Sequence, residues 1–272
     1  MKQRVTSAVI LLTITFGCLL ASELTRVLFF AAAGVICCYE LSRNLEKLEI
    51  YCCAWVMYTH MALQAVLALL HAPLEYCVAA LTLAIFLAMF SGILHPRVSG
   101  HGAFYTEAGV SYPGFLFVLL MRISISDIWA ETLILAALAS TACDAFALFG
   151  GTRFGKHKLA PLVSPHKTVE GSLCGALASI AVGVGLCFLF PLIPGLAYRN
   201  IPLWVCVGTA FLSSSMGQIG DLAESLVKRM IGVKDFSHLI PGHGGLMDRA
   251  DALLFAIPTA YLCLLVAMRH LP

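Results

Sequence analysis

The sequence predicts an all-α fold, a polytopic integral membrane bundle of about nine transmembrane helices. Hydrophobic residues make up 60% of the 272 positions and charged residues only 12%, with a mean hydropathy of +0.91. The apolar residues occur in successive runs, most of them close to the ~20 residues that cross a bilayer as a helix. The charged residues gather between these runs, which indicates helices joined by polar loops.

Nine apolar runs define the predicted helices. In chain order they span residues 5–21, 25–41, 51–70, 74–94, 108–121, 129–149, 171–192, 202–227 and 250–268. The fifth run is short, because Tyr112-Pro113-Gly114 interrupts its start and proline disfavours a continuing helix. The first run follows basic residues, as in a signal peptide, but further apolar runs come directly after it. We therefore expect a retained signal anchor rather than cleavage.

Composition argues against two classes of function. The net charge of +2 and the lack of a basic tail in the sequence give no reason to expect a nucleic-acid partner. The eleven cysteines lie mostly inside apolar runs and have no C-x-x-C spacing. We interpret them as small apolar residues rather than as disulfides or zinc ligands.

Lys and Arg residues are distributed unevenly between the two ends of the predicted helices. With the N-terminus in the cytoplasm, thirteen of the seventeen lie in cytoplasmic segments and four at the opposite ends. Basic residues favour the cytoplasmic side of membrane proteins. The bias predicts that two polar loops, residues 149–171 and 228–249, face the cytoplasm; in a bacterium the membrane would be the inner one.

The stretch Gly217–Asp251 carries most of the candidate chemistry. Its 35 positions hold five acidic residues, four basic residues and two histidines. Ionisable groups in or beside a membrane are costly, so their default interpretation is functional. Asp221, Glu224, Ser225 and Lys228 have the spacing of one helical face. The alternative is a solvated helix end with ion pairs between residues four apart.

A loop rich in glycine follows this polar helix. Pro241 and the glycines after it disfavour a helix, and glycines allow backbone N–H groups to approach an anion. Asp221 and Asp248, on separate segments and flanked by four cations, suit a metal-bound polyphosphate. Mg²⁺ prefers a few carboxylates together with phosphate oxygens, and Lys and Arg neutralise the remaining charge.

The loop 149–171 is a second candidate locus. Its segment Ser164–Gly171 reads SPHKTVEG. Ser164 before Pro165 predicts a helix N-cap followed by the first helical residue, and such a helix end with Lys167 can hold phosphate. The alternative is an ordinary capped helix start. A phosphate-binding Walker A loop is rejected, because the glycines follow a membrane helix and His157 replaces the hydroxyl residue.

These two loops carry a family resemblance. Residues 225–251, SLVKRMIGVKDFSHLIPGHGGLMDRAD, resemble the signature of phosphatidate cytidylyltransferases, and SPHKTVEG resembles a second motif of that family. Asp144 matches the acidic position of the helix before this second motif. The resemblance covers roughly residues 115–268. Leu148 and His166 depart from the family pattern, which leaves their roles open.

The resemblance implies that CTP and phosphatidic acid give CDP-diacylglycerol and pyrophosphate, by metal-assisted direct displacement at the nucleotide α-phosphate in phospholipid biosynthesis. A CTP-dependent lipid kinase is the nearest alternative, and it would need a base for a neutral hydroxyl. An ion-coupled transporter is an alternative from another class, and it would place its acids near mid-membrane in paired repeats.

The expected site residues fall into two groups. The predicted catalytic residues are Asp221, Asp248, Lys228, Arg229, Lys234 and Arg249, with Asp221 and Asp248 as metal ligands. The predicted substrate-binding residues are Ser164, Lys167, Thr168, Asp144, Ser225, Asp235, His243, Gly244 and Gly245. Glu23, Glu40 and Glu75 are expected to be solvated carboxylates at helix ends.

The same reasoning gives the remaining expectations. Residues 1–107 are predicted to form N-terminal membrane helices, and residues 108–272 a catalytic membrane region with the two cytoplasmic loops. Mg²⁺ is the expected cofactor, with a second metal ion left open. CTP, phosphatidic acid and the lipid bilayer are the expected partners, and a homodimer is left open.

Overall fold

The computed structural model describes residues 2–197, 200–242 and 244–270. It is 78% helical with two short strands, which confirms the all-α prediction. The helices are α1 (Lys2–Ala21), α2 (Glu23–Glu46), α3 (Ala54–Leu69), α4 (Leu74–Leu94), α5 (Gly100–Gly109), α6 (Leu116–Ser124), α7 (Trp129–Phe154), α8 (Val169–Leu189), α9 (Leu203–Ile231) and α10 (Met247–His270). The strands are β1 (Lys158–Ala160) and β2 (Ser164–Thr168).

Within the described residues, six helical segments are long and apolar enough to cross a membrane. They are Glu23–Glu46, Leu74–Leu94, Gly100–Ser124, Trp129–Phe154, Val169–Leu192 and Met247–Arg269. Two further apolar helices, Thr6–Ala21 and Ala54–Leu69, are shorter. The chain is an integral membrane protein, and the predicted number of about nine spans is approximate.

The fifth predicted helix is longer than expected and is interrupted within its length. A π-helical turn, Val110–Phe115, joins α5 to α6, so that one segment runs from Gly100 to Ser124. Tyr112 has non-helical dihedral angles, φ −139° and ψ 113°. The residue before proline avoids the helical region, so the interruption expected at Tyr112-Pro113 is present but no longer marks the start of the helix.

The chain forms two compact units. The first comprises the residues up to Ile125 together with Ile231–Arg249. Its buried core joins α2, α3, α4 and α5 through small and sulfur-containing side chains such as Cys38, Met57 and Ala84. Gly109 makes room for Met57, because a methyl group at this glycine would lie 2.6 Å from the methionine methyl carbon.

The second unit comprises Ser126–Met230 and the residues from Ala250 onward. Helices α7 and α8 pack closely along glycines. A methyl group at Gly171 would lie 2.5 Å from the Ala147 carbonyl oxygen, and one at Gly175 would lie 2.6 Å from the Cys143 carbonyl oxygen. Small residues allow membrane helices to approach in this way. Leu135, Phe190 and Leu264 belong to an apolar cluster of the same unit.

The segment predicted as a capped helix start at Ser164 is a β-hairpin instead, so this prediction was wrong. β1 and β2 pair antiparallel, with Lys158 opposite Thr168 and Ala160 opposite Ser164. α8 begins at Val169, and Thr168 is its N-cap, with its hydroxyl accepting the Gly171 N–H at 3.1 Å. The extended backbone that a residue before proline prefers suits a strand at Ser164.

Candidate active site

Three carboxylates come together in the second unit. Asp221 and Glu224 lie on α9 and Asp251 on the first turns of α10, and one oxygen of each lies within 4.8 Å of the others. Glu224 is fully buried, whereas Asp221 and Asp251 are half-buried. We call these three residues the carboxylate triad. A buried acid in a membrane helix is costly, so the grouping indicates a site for positive charge.

Two glycines of α9 bring the triad together. A methyl group at Gly220 would lie 2.6 Å from the Asp251 carbonyl oxygen and 2.8 Å from the ring of Phe255. One at Gly217 would lie 3.4 Å from the Ala252 carbonyl oxygen. The lack of side chains at these positions lets α9 and α10 approach closely, and Asp221 follows Gly220 directly.

Two lysines partly neutralise the triad. Lys167, from β2, is ion-paired with Asp221. Lys228 pairs with Glu224 at 2.5 Å, one turn along α9. The alternative interpretation of this stretch was a solvated helix end with ion pairs between residues four apart. The Glu224–Lys228 pair has that spacing, but the Glu224 carboxylate is buried, so the helix end is not solvated there. Ser225 completes this face, with its hydroxyl 3.4 Å from Asp221 Oδ1.

Asp144 adds a further carboxylate near this group. It is exposed on α7 and interacts electrostatically with Asp221 and Lys167. α7 extends to Phe154 rather than to the predicted residue 149, so Asp144 lies almost three turns before the helix end. The helix continues through Gly150 and Gly151 because both glycines pack against α8 and its N-cap residue. A methyl group at Gly150 would lie 2.5 Å from Cys174.

The hairpin that carries Lys167 is held at its base by Glu170. This carboxylate accepts the N–H groups of Lys156 at 3.0 Å and His157 at 3.2 Å, and shares a 2.6 Å hydrogen bond with His157 Nδ1. Arg229 Nε, from α9, donates to the Val163 carbonyl oxygen at 3.4 Å. The hairpin is thus fixed to α8 and α9, which places Lys167 against Asp221.

Asp248 lies in the first unit and organises a loop. It is 5% exposed, and its Oδ2 accepts the N–H groups of Phe236 at 3.0 Å and Gly245 at 2.8 Å. Gly244 has φ +85°, and a methyl group there would lie 3.0 Å from the same oxygen. At least one loop N–H expected to face a phosphate therefore bonds to a protein carboxylate instead.

Glu40 binds the same loop from α2. It is 3% exposed, and its carboxylate accepts the N–H groups of Leu246 at 3.0 Å and Met247 at 2.9 Å and the Ser237 hydroxyl at 2.5 Å. The expectation of a solvated carboxylate at Glu40 was wrong, because α2 continues to Glu46 and buries the side chain. A single acid inside an apolar run was the signal that could have identified it.

The remaining predicted residues are placed as follows. Lys234, Asp235 and Arg249 are exposed, Ser164 is half-buried in β2, and His243 lies outside the described residues. Sequence reasoning assigned no role to Asp251 and left Glu224 without a metal-binding role. The spacing of three residues from Asp248 to Asp251 places both on the first turns of one helix, but it gives no indication that Asp251 meets α9.

The triad fits a hard divalent cation. All of its donors are carboxylate oxygens, which Mg²⁺ and Ca²⁺ prefer. The three donor oxygens lie within 4.8 Å of one another, so side-chain rotations would let them share one cation. The two lysines leave this group of five side chains with one net negative charge. The roles of Asp221 and Asp248 as metal ligands stay predictions.

Comparison with known proteins agrees with the motifs. A family model described as the cytidylyltransferase family matches residues 2–267. A phosphatidate cytidylyltransferase of Staphylococcus haemolyticus is 29% identical over 264 residues, covering 95% of this chain and 96% of that protein. One from Brucella abortus is 32% identical over 269 residues, covering 96% and 92%.

A third relative matches over a shorter segment. The phosphatidate cytidylyltransferase of Staphylococcus aureus strain COL is 33% identical over 162 residues, and the match spans 60% of this chain and 59% of that protein. The family model covers nearly the whole sequence, and the resemblance inferred from the two motifs is confirmed. The chain therefore belongs to the cytidylyltransferase family.

Proposed function

We propose that this protein is a phosphatidate cytidylyltransferase, which converts CTP and phosphatidic acid to CDP-diacylglycerol and pyrophosphate. The observation that carries the proposal is the carboxylate triad with its two paired lysines, in a unit made of membrane helices. A site that binds a phospholipid and a nucleotide needs carboxylates to hold a metal ion. It also needs basic side chains to bind the phosphates. Family membership and the names of the relatives support the same reaction.

The reaction needs little acid–base help from the protein. The phosphate of phosphatidic acid is already anionic at neutral pH and mostly doubly charged, because a phosphate monoester loses its second proton at a pKa of about 6. Its oxygen attacks the α-phosphorus of CTP, the bond from that phosphorus to the β-phosphate oxygen breaks, and pyrophosphate leaves. Alignment of the two phosphates and neutralisation of charge are then the main tasks of the site.

The chain's own side chains divide these tasks. A divalent cation, Mg²⁺ in our proposal, would be held by the triad and would supply charge neutralisation at the nucleotide phosphates. Lys167 and Lys228, released from their carboxylates, would bind phosphate oxygens. Arg229 fixes the hairpin, which keeps Lys167 beside Asp221. A site that faces the cytoplasm and, in a bacterium, a location in the inner membrane belong to the same proposal.

Product analysis tests the function. The purified protein in detergent is incubated with labelled CTP, Mg²⁺ and phosphatidic acid, and we expect CDP-diacylglycerol and pyrophosphate in equal amounts. A parallel reaction with diacylglycerol in place of phosphatidic acid should give neither. CDP and phosphatidic acid from that second reaction would instead identify a CTP-dependent lipid kinase, and EDTA should abolish turnover if the proposed cation is required.

A further inference from the structure

The buried carboxylate of Glu40 has no part in the reaction described so far. It lies on α2, a membrane helix distant in sequence from both family motifs, nearly two turns before the helix ends at Glu46. Burial of a carboxylate is costly unless hydrogen bonds compensate for the lost water. Among the described residues, the donors to this carboxylate come from one segment, Ser237 to Met247, which leads into α10.

The donors are of a specific kind. Leu246 and Met247 stand at the start of α10, where backbone N–H groups have no acceptor within the helix. Glu40 Oε1 accepts the first of these N–H groups and Oε2 the second. The negative charge also lies at the positive end of the α10 dipole. The carboxylate therefore acts as a cap supplied by another helix.

Neighbouring contacts extend this attachment. Asn44, one turn further along α2, donates from Nδ2 to the Phe236 carbonyl oxygen at 2.6 Å. Phe236 in turn donates its N–H to Asp248. The lack of a side chain at Gly245 leaves room for the carboxylate, because a methyl group there would lie 2.7 Å from Glu40 Oε1. Two side chains of α2 thus hold both ends of the loop that surrounds Asp248.

We propose that Glu40 is a positioning residue for the transfer reaction, because its hydrogen bonds to Ser237, Leu246 and Met247 fix the segment that carries Asp248 and Arg249. The inference rests on the proposed function and on the prediction from the sequence that Asp248 and Arg249 are catalytic residues. Both carboxylate oxygens are needed as acceptors. Glutamine would turn an NH₂ group toward one of these donors, whereas aspartate keeps both acceptors at a shorter reach.

The experiment compares the Glu40→Gln and Glu40→Asp variants of the full chain in detergent. Glu46→Gln is the matched control, since Glu46 ends the same helix and is exposed. Turnover is measured with CTP and phosphatidic acid, and amide hydrogen exchange is measured on peptides that cover residues 236–247. The exchange readout does not depend on activity or on a bound metal.

For Glu40→Gln we expect kcat to fall about ten- to a hundredfold, the range seen when residues that support a site's ligands are removed. Exchange at Leu246 and Met247 should rise, while exchange in α7 and α8, KM for phosphatidic acid and the unfolding temperature change little. Glu40→Asp should recover much of the lost kcat, and Glu46→Gln should match wild type in every readout.

Several outcomes would overturn the inference. If Glu40→Gln keeps the wild-type kcat, the inference is wrong whether or not hydrogen exchange rises. Unchanged hydrogen exchange at Leu246 and Met247 in this variant would also overturn it. Exchange that rises throughout the protein, with no recovery in Glu40→Asp, would assign Glu40 a purely structural role.

If Glu40→Gln fails to fold, Ser237→Ala removes one donor from the loop side and should cause smaller changes of the same kind. Wild-type values in Ser237→Ala for both kcat and exchange would then overturn the inference. A wild-type protein that makes no CDP-diacylglycerol overturns the proposed function, and this result is distinguishable because it precedes any comparison of variants.

Discussion

Individual carboxylates in this protein differ by what compensates their charge. Asp221 and Glu224 are each paired with a lysine, and Glu40 and Asp248 accept backbone N–H groups. A carboxylate bound to an ammonium group can exchange that partner for a metal ion or phosphate-bound cation, because both supply positive charge. One that accepts several backbone N–H groups helps to hold the chain. Asp221 and Glu224 are therefore expected to bind a cation and Glu40 to shape a loop, whereas Asp248 accepts two backbone N–H groups and stays a predicted metal ligand.

The first prediction concerns Asp221. Asp221→Asn should lower the rate of CDP-diacylglycerol formation on the order of a thousandfold, about 4 kcal/mol of transition-state stabilisation, because it removes a proposed metal ligand and the partner of Lys167. Mn²⁺ binding, followed by electron paramagnetic resonance, should weaken in parallel. Asp127→Asn, a change at an exposed residue of the same unit, serves as the control. Near-normal turnover of Asp221→Asn at saturating Mg²⁺ would contradict the assignment.

The second prediction concerns Asp251, which sequence reasoning did not select. Asp251→Asn should weaken Mn²⁺ binding at least tenfold, about 1.4 kcal/mol, because the triad loses one of its three charged donors. Turnover should recover in part at high Mg²⁺, since a weakened site can still be filled. Unchanged Mn²⁺ affinity would remove Asp251 from the site, whatever happens to the rate.

The third prediction concerns Asp248, which the sequence selects as a metal ligand. Asp248→Asn should abolish activity, because the change removes a predicted ligand and also replaces an acceptor of two backbone N–H groups with a neutral amide. Hydrogen exchange at Phe236 and Gly245 reports the loop, and Mn²⁺ titration reports the ligand. Turnover close to wild type would exclude both roles.

At the scale of elements, glycines decide how closely the helices of the second unit approach. Gly171 and Gly175 do so between α8 and α7, and Gly220 does so between α9 and α10. The site depends on these approaches because its charged residues come from α9, α10 and the hairpin before α8. A hydrophobicity profile identifies the helices, whereas the glycines determine which faces meet.

The fourth prediction compares two glycines of α9. Gly220→Ala should destabilise the protein by about 1–3 kcal/mol through overpacking, because its methyl group would lie 2.6 Å from the Asp251 carbonyl oxygen. The rate of CDP-diacylglycerol formation should also fall, because the added methyl group separates α9 from α10 and so moves Asp251 away from Asp221 and Glu224. Gly208→Ala is the matched control, since its methyl group meets no heavy atom of the described residues within 4 Å. Thermal unfolding in detergent checks both, and equal unfolding temperatures would contradict the packing argument.

At the scale of the whole molecule, the membrane constrains which surfaces meet water. Six segments of the part of the chain that the structure describes are long and apolar enough to span it, and the polar site residues lie largely on two loops and the helix ends beside them. Thirteen of the seventeen basic residues fall on the side assigned to the cytoplasm. That assignment would admit a water-soluble nucleotide from the cytoplasm and a lipid headgroup from the bilayer.

The fifth prediction tests this orientation. In a variant whose eleven native cysteines are replaced, Lys158→Cys should react with a membrane-impermeant thiol reagent only from the cytoplasmic side. Ala197→Cys should react only from the opposite side. Both positions are exposed, so accessibility is not limited by burial. The reverse pattern would invert the topology and place the hairpin out of reach of cytoplasmic CTP.

The sequence by itself determined the fold class and the location of the chemistry. Apolar runs of membrane length need no tertiary information, because the bilayer requires each span to satisfy its own backbone hydrogen bonds. The same cost makes the charged residues of Gly217–Asp251 conspicuous. The motifs there also gave the family, which the match over residues 2–267 confirms. The predicted helix ends were less accurate. α7 continues to Phe154 rather than ending at residue 149, because Gly150 and Gly151 are covered by α8.

Only the tertiary structure decided which acids meet and which hold the loop. Asp251 joins Asp221 because α9 and α10 approach at Gly220, a contact between segments that no spacing along the chain encodes. Glu40 is buried against residues about two hundred positions away, so the apolar run around it shows that an acid there is costly but does not show which segment it binds. Ser164 became a strand residue because its partner strand lies across the hairpin. In each case the deciding free energy comes from long-range packing and hydrogen bonding, which a local pattern does not contain.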